Sequence, residues 1–235
     1  MAMTADGANW NWAAYVGDAT PDHALATNVT ATATVVVSIH NRTDETTTIT
    51  SVVGSLNGAY TLAEGPTDHT TATMRMWSYY FLNSAGGAET ITVTFSGAIN
   101  SNIVAGWCLD DAGAQTFDVD VAGEDGIASH PTDADADSPT LSAAGGGGIL
   151  GFIATNNVVT FSADGAGETN IEGGAGGQRL TAFFEAYASG GTKGFEATGS
   201  GNTRIVWHVL AFLTPAAGGG TAHRATTRRL LVGMG

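Results

Sequence analysis

The sequence predicts an all-β protein: a single antiparallel β-sandwich with an internal pseudo-duplication and a flexible C-terminal arm. Three observations predict it. First, residues 89–95 alternate with period two, Ile91, Val93 and Phe95 on one side and Thr90, Thr92 and Thr94 on the other, as in a strand with one buried face. Second, the stretch Thr73 to Leu109 has a counterpart in Arg179 to Leu213, read either as an internal duplication or as two similar hairpins of the kind any all-β protein holds. Arg75 falls on Arg179, Tyr79 and Tyr80 on Phe183 and Phe184, and Gly86 and Gly87 on Gly190 and Gly191. A two-residue shift then sets Asn102, Ile103 and Val104 on Arg204, Ile205 and Val206. Upstream, Thr34 to Ile39 resembles Gly148 to Ile153. Third, charged residues are only 13% of the chain, about half the usual share, so Thr, Ser and Asn must cover much of the exterior.

The elements follow in order. Asn9 to Val16 alternates, with Trp10 and Trp12 on one side of a first strand. Gly17 to Asn28 carries Asp, Pro and His and reads as a loop. Thr30 to His40 holds the apolar run Val35, Val36, Val37, which suits a central strand. Thr46 to Gly54 and Ala59 to Leu62 form a hairpin about Asn57 and Gly58, a strong two-residue turn signal. Ala63 to Thr71 reads as a loop. Thr73 to Leu109 is then a three-stranded meander broken at Ala85–Gly87 and Ser96–Gly97. In its first run Trp77, Tyr79 and Phe81 share one side and Met76, Tyr80 and Leu82 the other, so both faces are apolar and meant for burial.

Residues 110–138 contain nine of the 22 acidic residues and no Lys or Arg. They read as an acidic connection, with a short strand at Thr116 to Val121. The second set of strands is Ile149 to Thr155, Val158 to Ser162, Arg179 to Ala188, Gly194 to Thr198 and Thr203 to Leu213, with a glycine-rich loop at Gly165 to Gly177. Pro215 to Ala222 is a linker by composition. The segments are therefore 1–29 with the first strand, 30–214 as the sandwich, and 215–235 as linker and basic, apolar arm.

The chemistry is sparse. None of the six histidines has metal-ligand spacing, and no nucleophile elbow or phosphate loop is present, so no catalysis is expected. Asp133, Asp135 and Asp137 alternate on an extended segment, which sets three carboxylates on one side as calcium ligands would need. They lack the Gly and closing Glu of an EF-hand loop, and a solvated acidic loop is the alternative. No other cofactor is expected. Cys108 reads as a buried small hydrophobe. Trp10 and Trp12 are either core cover or a partner- or glycan-stacking patch. Arg224, Arg228 and Arg229 precede Leu230 and Leu231, and this +3 tail on a −17 body suits a docking arm that adds to a neighbour's sheet edge; a frayed terminus is the alternative. A net charge of −14 disfavours nucleic-acid binding. Met1 to Asp6 lacks the basic and apolar regions of a classical signal peptide, and no apolar run reaches bilayer length.

The runs VVVSIHN, SVVGSLNGAYTL, RMWSYYFLNSAGGAETITVTFSGAINSNIVAG, GGGGILGFIATNN and TRIVWHVLAFLTP resemble β-sandwich proteins of tailed phages and related bacterial and archaeal viruses. The resemblance covers about residues 30–215 and is one of strand texture. It implies a jelly-roll-like virion component on the outer surface: a capsid decoration protein, or a tail or fibre part, partnered by itself as a homo-oligomer and by other virion proteins. The alternative expectation is a carbohydrate-binding module that attaches to a host surface.

Overall fold

The structure is a computed structural model that describes residues 3–5, 11–42, 46–69, 72–110, 115–125, 140–143, 146–163, 169–175, 177–194, 197–200 and 203–214. Among them there is no helix, and every strand pairing is antiparallel. The all-β sandwich class read from the sequence holds.

The first unit comprises β1 (Thr4–Ala5), β2 (Asn11–Val29), β3 (Thr34–Asn41), β4 (Ile49–Gly54), β5 (Gly58–Ala59), β6 (Thr61–Asp68), β7 (Arg75–Phe81) and β8 (Gly87–Asp110). They form one sheet in the order β5-β4-β8-β3-β7-β6, with β1 and β2 also on β8. β8 runs for 24 residues and serves two layers. Its first half pairs with β4 and the end of β2; its second half pairs with β3 and the start of β2. Register shifts about Thr20 mark the corner, where irregular pairing lets a strand pair bend. The sheet therefore folds over itself. Leu25, Val35, Ile39, Val52, Trp77, Ile91, Val93, Phe95 and Val104 fill the enclosed core.

Three expectations need correction here. Residues 17–28 are not a loop but the continuation of β2. His23, Leu25 and Val29 point inward while Asp22, Ala24, Ala26 and Asn28 are exposed, a period-two pattern that the Asp and Pro residues disguise. Thr73–Leu109 is not a three-stranded meander, because β8 passes through Ser96–Gly97 as a bend and β3 lies between β7 and β8. Residues 63–68 belong to an edge strand, β6, whose ladder with β7 shifts register on either side of Glu64. Pro66 is tolerated there because edges need fewer donors.

The second unit comprises β9 (Thr116–Asp125), β10 (Thr140–Ala143), β11 (Gly147–Thr155), β12 (Phe161–Ala163), β13 (Thr169–Ala175), β14 (Gln178–Tyr187), β15 (Gly191–Gly194), β16 (Ala197–Gly199) and β17 (Ile205–Leu213). Its main sheet has the order β13-β14-β11-β17-β9, beside two short ribbons, β10-β15 and β12-β16. The glycine-rich segment expected as a loop thus contains a paired strand, β13.

The two units repeat one pairing scheme. β3 lies between β7 and the second half of β8, as β11 lies between β14 and β17. β4 pairs with the first half of β8, as β12 pairs with β16. β6 borders β7 as β13 borders β14. The two ends of β2 are matched by β9 on β17 and β10 on β15. Register agrees: Val35 opposes Phe81 and Cys108, and Ile149 opposes Glu185 and Ala211. This upholds the alignment of Tyr79 and Tyr80 with Phe183 and Phe184. It moves the last strand by one residue. Ile103 corresponds to Val206, not Ile205, and Ala105, Trp107 and Leu109 correspond to His208, Leu210 and Phe212. A slip of one residue exchanges the two faces of a strand, so the sheet, not residue similarity, decides this register.

Corresponding faces then pack on each other. Val36, Met76, Ile103, Trp107 and Leu109 meet Leu150, Phe152, Leu180, Phe184, Val206, Leu210 and Phe212 in one core. The contacts are reciprocal: β6 lies against β9 as β13 lies against β2, and β17 touches β6 and β7 as β8 touches β13 and β14. This is an isologous arrangement within one chain, a pseudo-twofold. Trp107, Phe152 and Phe212 are fully buried in it, each contributing about 2–3 kcal/mol by removal from water. A third core, built on Ile149, Ile153, Phe161, Phe183, Tyr187, Ile205 and Val209, lies on the far face of the second sheet.

Candidate functional site

One cluster of chemistry-bearing side chains gathers at a seam of the interface between units, where β6 and β7 face β9 and β17. Tyr80 of β7 stacks on Phe117 of β9 at 4.7 Å, and both rings meet the edge of Phe212 from β17. Beside them, Ser78 Oγ lies 2.9 Å from His208 Nδ1, and His208 Nε2 lies 3.0 Å from Thr67 Oγ1. One ring proton and two hydroxyls satisfy this relay. Ser38 extends it, its hydroxyl donating to the Trp77 carbonyl at 3.4 Å and accepting from Ser78 at 3.5 Å.

A serine next to a histidine is the geometry of an activated nucleophile; this pair lies inside the joint core. Ser78 and His208 are wholly buried. Burial pushes the His208 ring down to about 3, far below the range of a useful general base at neutral pH. Its second nitrogen meets a hydroxyl rather than a carboxylate. The relay links β3, β7 and β6 of one unit to β17 of the other through an apolar core.

The seam also holds two carboxyls. Glu64 opposes Ser78 across the β6–β7 ladder, and Asp120 opposes core-facing Leu210 across β9–β17, so both lie on inward faces. They hydrogen-bond to each other. The Gly65 N–H donates to Glu64 Oε1 at 2.8 Å. Burial, and then the bond to Asp120, raise Glu64 to about 7.

The other buried polar groups serve the frame. Glu89 accepts from the Asn57 N–H at 3.1 Å, from the Asn57 side-chain amide, and from the Tyr60 hydroxyl at 3.2 Å. The Asn57 side-chain oxygen accepts from the Ala85 N–H at 3.0 Å. The Asn57–Gly58 turn, with Gly58 at φ 83°, is thereby pinned to the loop before β8. His23 stacks on Tyr15 at 4.0 Å and bonds the Asn102 side chain. His69 Nδ1 accepts from the Ala72 N–H at 3.0 Å. His40 is fully buried, and burial plus the Arg42 charge push it down to about 3.

Of the residues singled out from the sequence, Trp12 lies on β2 opposite Ala105 and is 36% exposed. Trp10, Asp133, Asp135, Asp137, Arg224, Arg228, Arg229, Leu230 and Leu231 lie outside the described residues. Cys108 is buried, as a small hydrophobe should be, and its Sγ accepts from the Thr30 N–H at 3.5 Å. Among the described residues no group of three or more His, Cys, Asp or Glu is arranged to hold a metal ion.

The seam itself was missed. One signal for it was present: His208 occupies the inward alternate of Val206, Leu210 and Phe212, and a histidine within such an apolar stripe needs a buried partner. Glu64 gave none, because its strand reads as a loop. No protein-family model, curated protein or solved structure matches the chain.

Proposed function

We propose that the chain is a non-enzymatic structural component of a tailed-virus particle, a capsid decoration protein or a tail or fibre part, that packs with itself and other virion proteins on the outer surface. The observation that carries this reading is the outer face of the first unit. There Ser51 of β4, Thr94 of β8 and Asp22 of β2 lie in register, followed by Val53, Thr92 and Ala24. Thr90 and Ala26 continue the array. All are exposed or half-exposed, and only Asp22 is charged. A face of small hydroxyl and apolar groups suits close protein packing, since it presents little charge to desolvate. The strand texture shared with phage β-sandwich proteins points the same way, and the basic arm with Arg224, Arg228, Arg229, Leu230 and Leu231 would tether the body. Deleting residues 221–235 should leave a folded body that particles no longer carry. A full-length chain that stays monomeric in light scattering and does not rebind stripped particles would contradict the proposal.

The exposure of Trp12 favours a second reading, a glycan-binding surface on the same particle, because an accessible indole can stack on a sugar ring. Glycan-array binding that disappears in Trp12→Ala supports it, and an array with no signal removes it.

A further inference from the structure

We propose that Glu64 and Asp120 form an acid-closed latch that holds the β6 edge of the first unit against the β9 edge of the second and releases that edge when the proton they share is lost. Both strands are sheet edges and pack on each other. The two carboxyls come from different units yet lie in hydrogen-bond contact. Such a pair is stable only while it shares a proton, because two adjacent carboxylates repel. Among the described residues no cation is placed to replace that proton. From β7, Arg75 is committed to Asp68 through Nε and through Nη2 at 2.6 Å, and Tyr80 is stacked on Phe117. From β9 come Asp118 and Asp120 themselves. From β17 comes His208, held uncharged by burial.

The local ladder suits movement. β6 shifts register against β7 both before and after Glu64, so the strand has fewer ladder bonds to break there than a regular edge. The opposite seam, β13 against β2, lacks the device. Its register equivalent of Glu64 is Ile171, which opposes Ala182 where Glu64 opposes Ser78. Release therefore acts on one seam only.

The sign follows from the direction of the shift. Glu64 is raised in the folded state, so its contribution is present below the ordinary glutamate range and is lost as pH rises through about 7. His40 and His208 are shifted downward and act in the opposite sense, so the latch is read locally and by difference.

The test is amide hydrogen exchange by mass spectrometry on the full chain at about pH 5.5 and about pH 8.5, corrected for intrinsic rates. Protection of β6 and β9 should fall about tenfold at the higher pH, one pKa unit's worth of coupling, while β3 and β11 stay unchanged. Glu64→Gln, which keeps a donor but cannot ionise, should abolish the difference, and Asp120→Asn should do the same if Glu64→Gln does not fold. Equal protection at both pH values, an equal loss in all strands, or an undiminished change in either folded variant would overturn the latch.

Discussion

At the scale of the residue, the fold depends on polar groups placed where water cannot reach them. His208 bridges the units as a neutral ring, and His40 is buried near Arg42. Both are pushed down from the usual imidazole range, so their contribution is present above about pH 6.5 and is lost as pH falls toward 3. Unfolding free energy measured in urea should fall as the pH drops from about 6.5 to about 4, and His208→Leu should remove roughly half of that slope. Glu89 makes a second prediction. Glu89→Ala strands the Asn57 amide and the Tyr60 hydroxyl and should cost about 2–4 kcal/mol, whereas Glu89→Gln should cost less than about 2. The hairpin was legible in the sequence as Asn57–Gly58; its buried anchor, 32 residues away, was not, because nothing local distinguishes Glu89 from a solvated acid.

At the scale of the element, alternation was read correctly where the exposed alternates are threonines and misread where turn-forming residues take their place. The Thr-and-Ile run of β8 was plain. The second half of β2 was hidden by Asp22 and Pro21, and β6 by Pro66, because turn-forming residues on a solvent face look the same as a loop. β13 was hidden by glycine, which weakens a strand signal without forbidding the strand. Glycine also has a steric role at Gly147. A Cβ there would overlap the Phe212 carbonyl of the neighbouring β17. Gly147→Ala should therefore cost more than about 3 kcal/mol, while Gly58→Ala, in open space at φ 83°, should cost only about 1. Urea midpoints of the two variants check the ranking.

At the scale of the whole molecule, one pairing scheme occurs twice and its two inner faces share a core. Low residue similarity made the repeat visible only in part: the aromatic pairs and Gly-Gly turns survive, while Ser38 corresponds to Phe152 and Ala105 to His208. Such exchanges erase the sequence signal, and they explain why the last strand was aligned one residue out. The central claim is that these faces form a permanent core rather than a loose contact between domains. Phe152, fully buried in that core, is the residue to remove, and Phe152→Ala should cost about 3–5 kcal/mol. The decisive measurement is hydrogen exchange across the urea transition of wild type and Phe152→Ala, read separately for β3 and β7 and for β11 and β14. The account predicts one transition for all four strands, shifted together by the substitution. Strands β3 and β7 that keep their wild-type midpoint while β11 and β14 unfold early would contradict it.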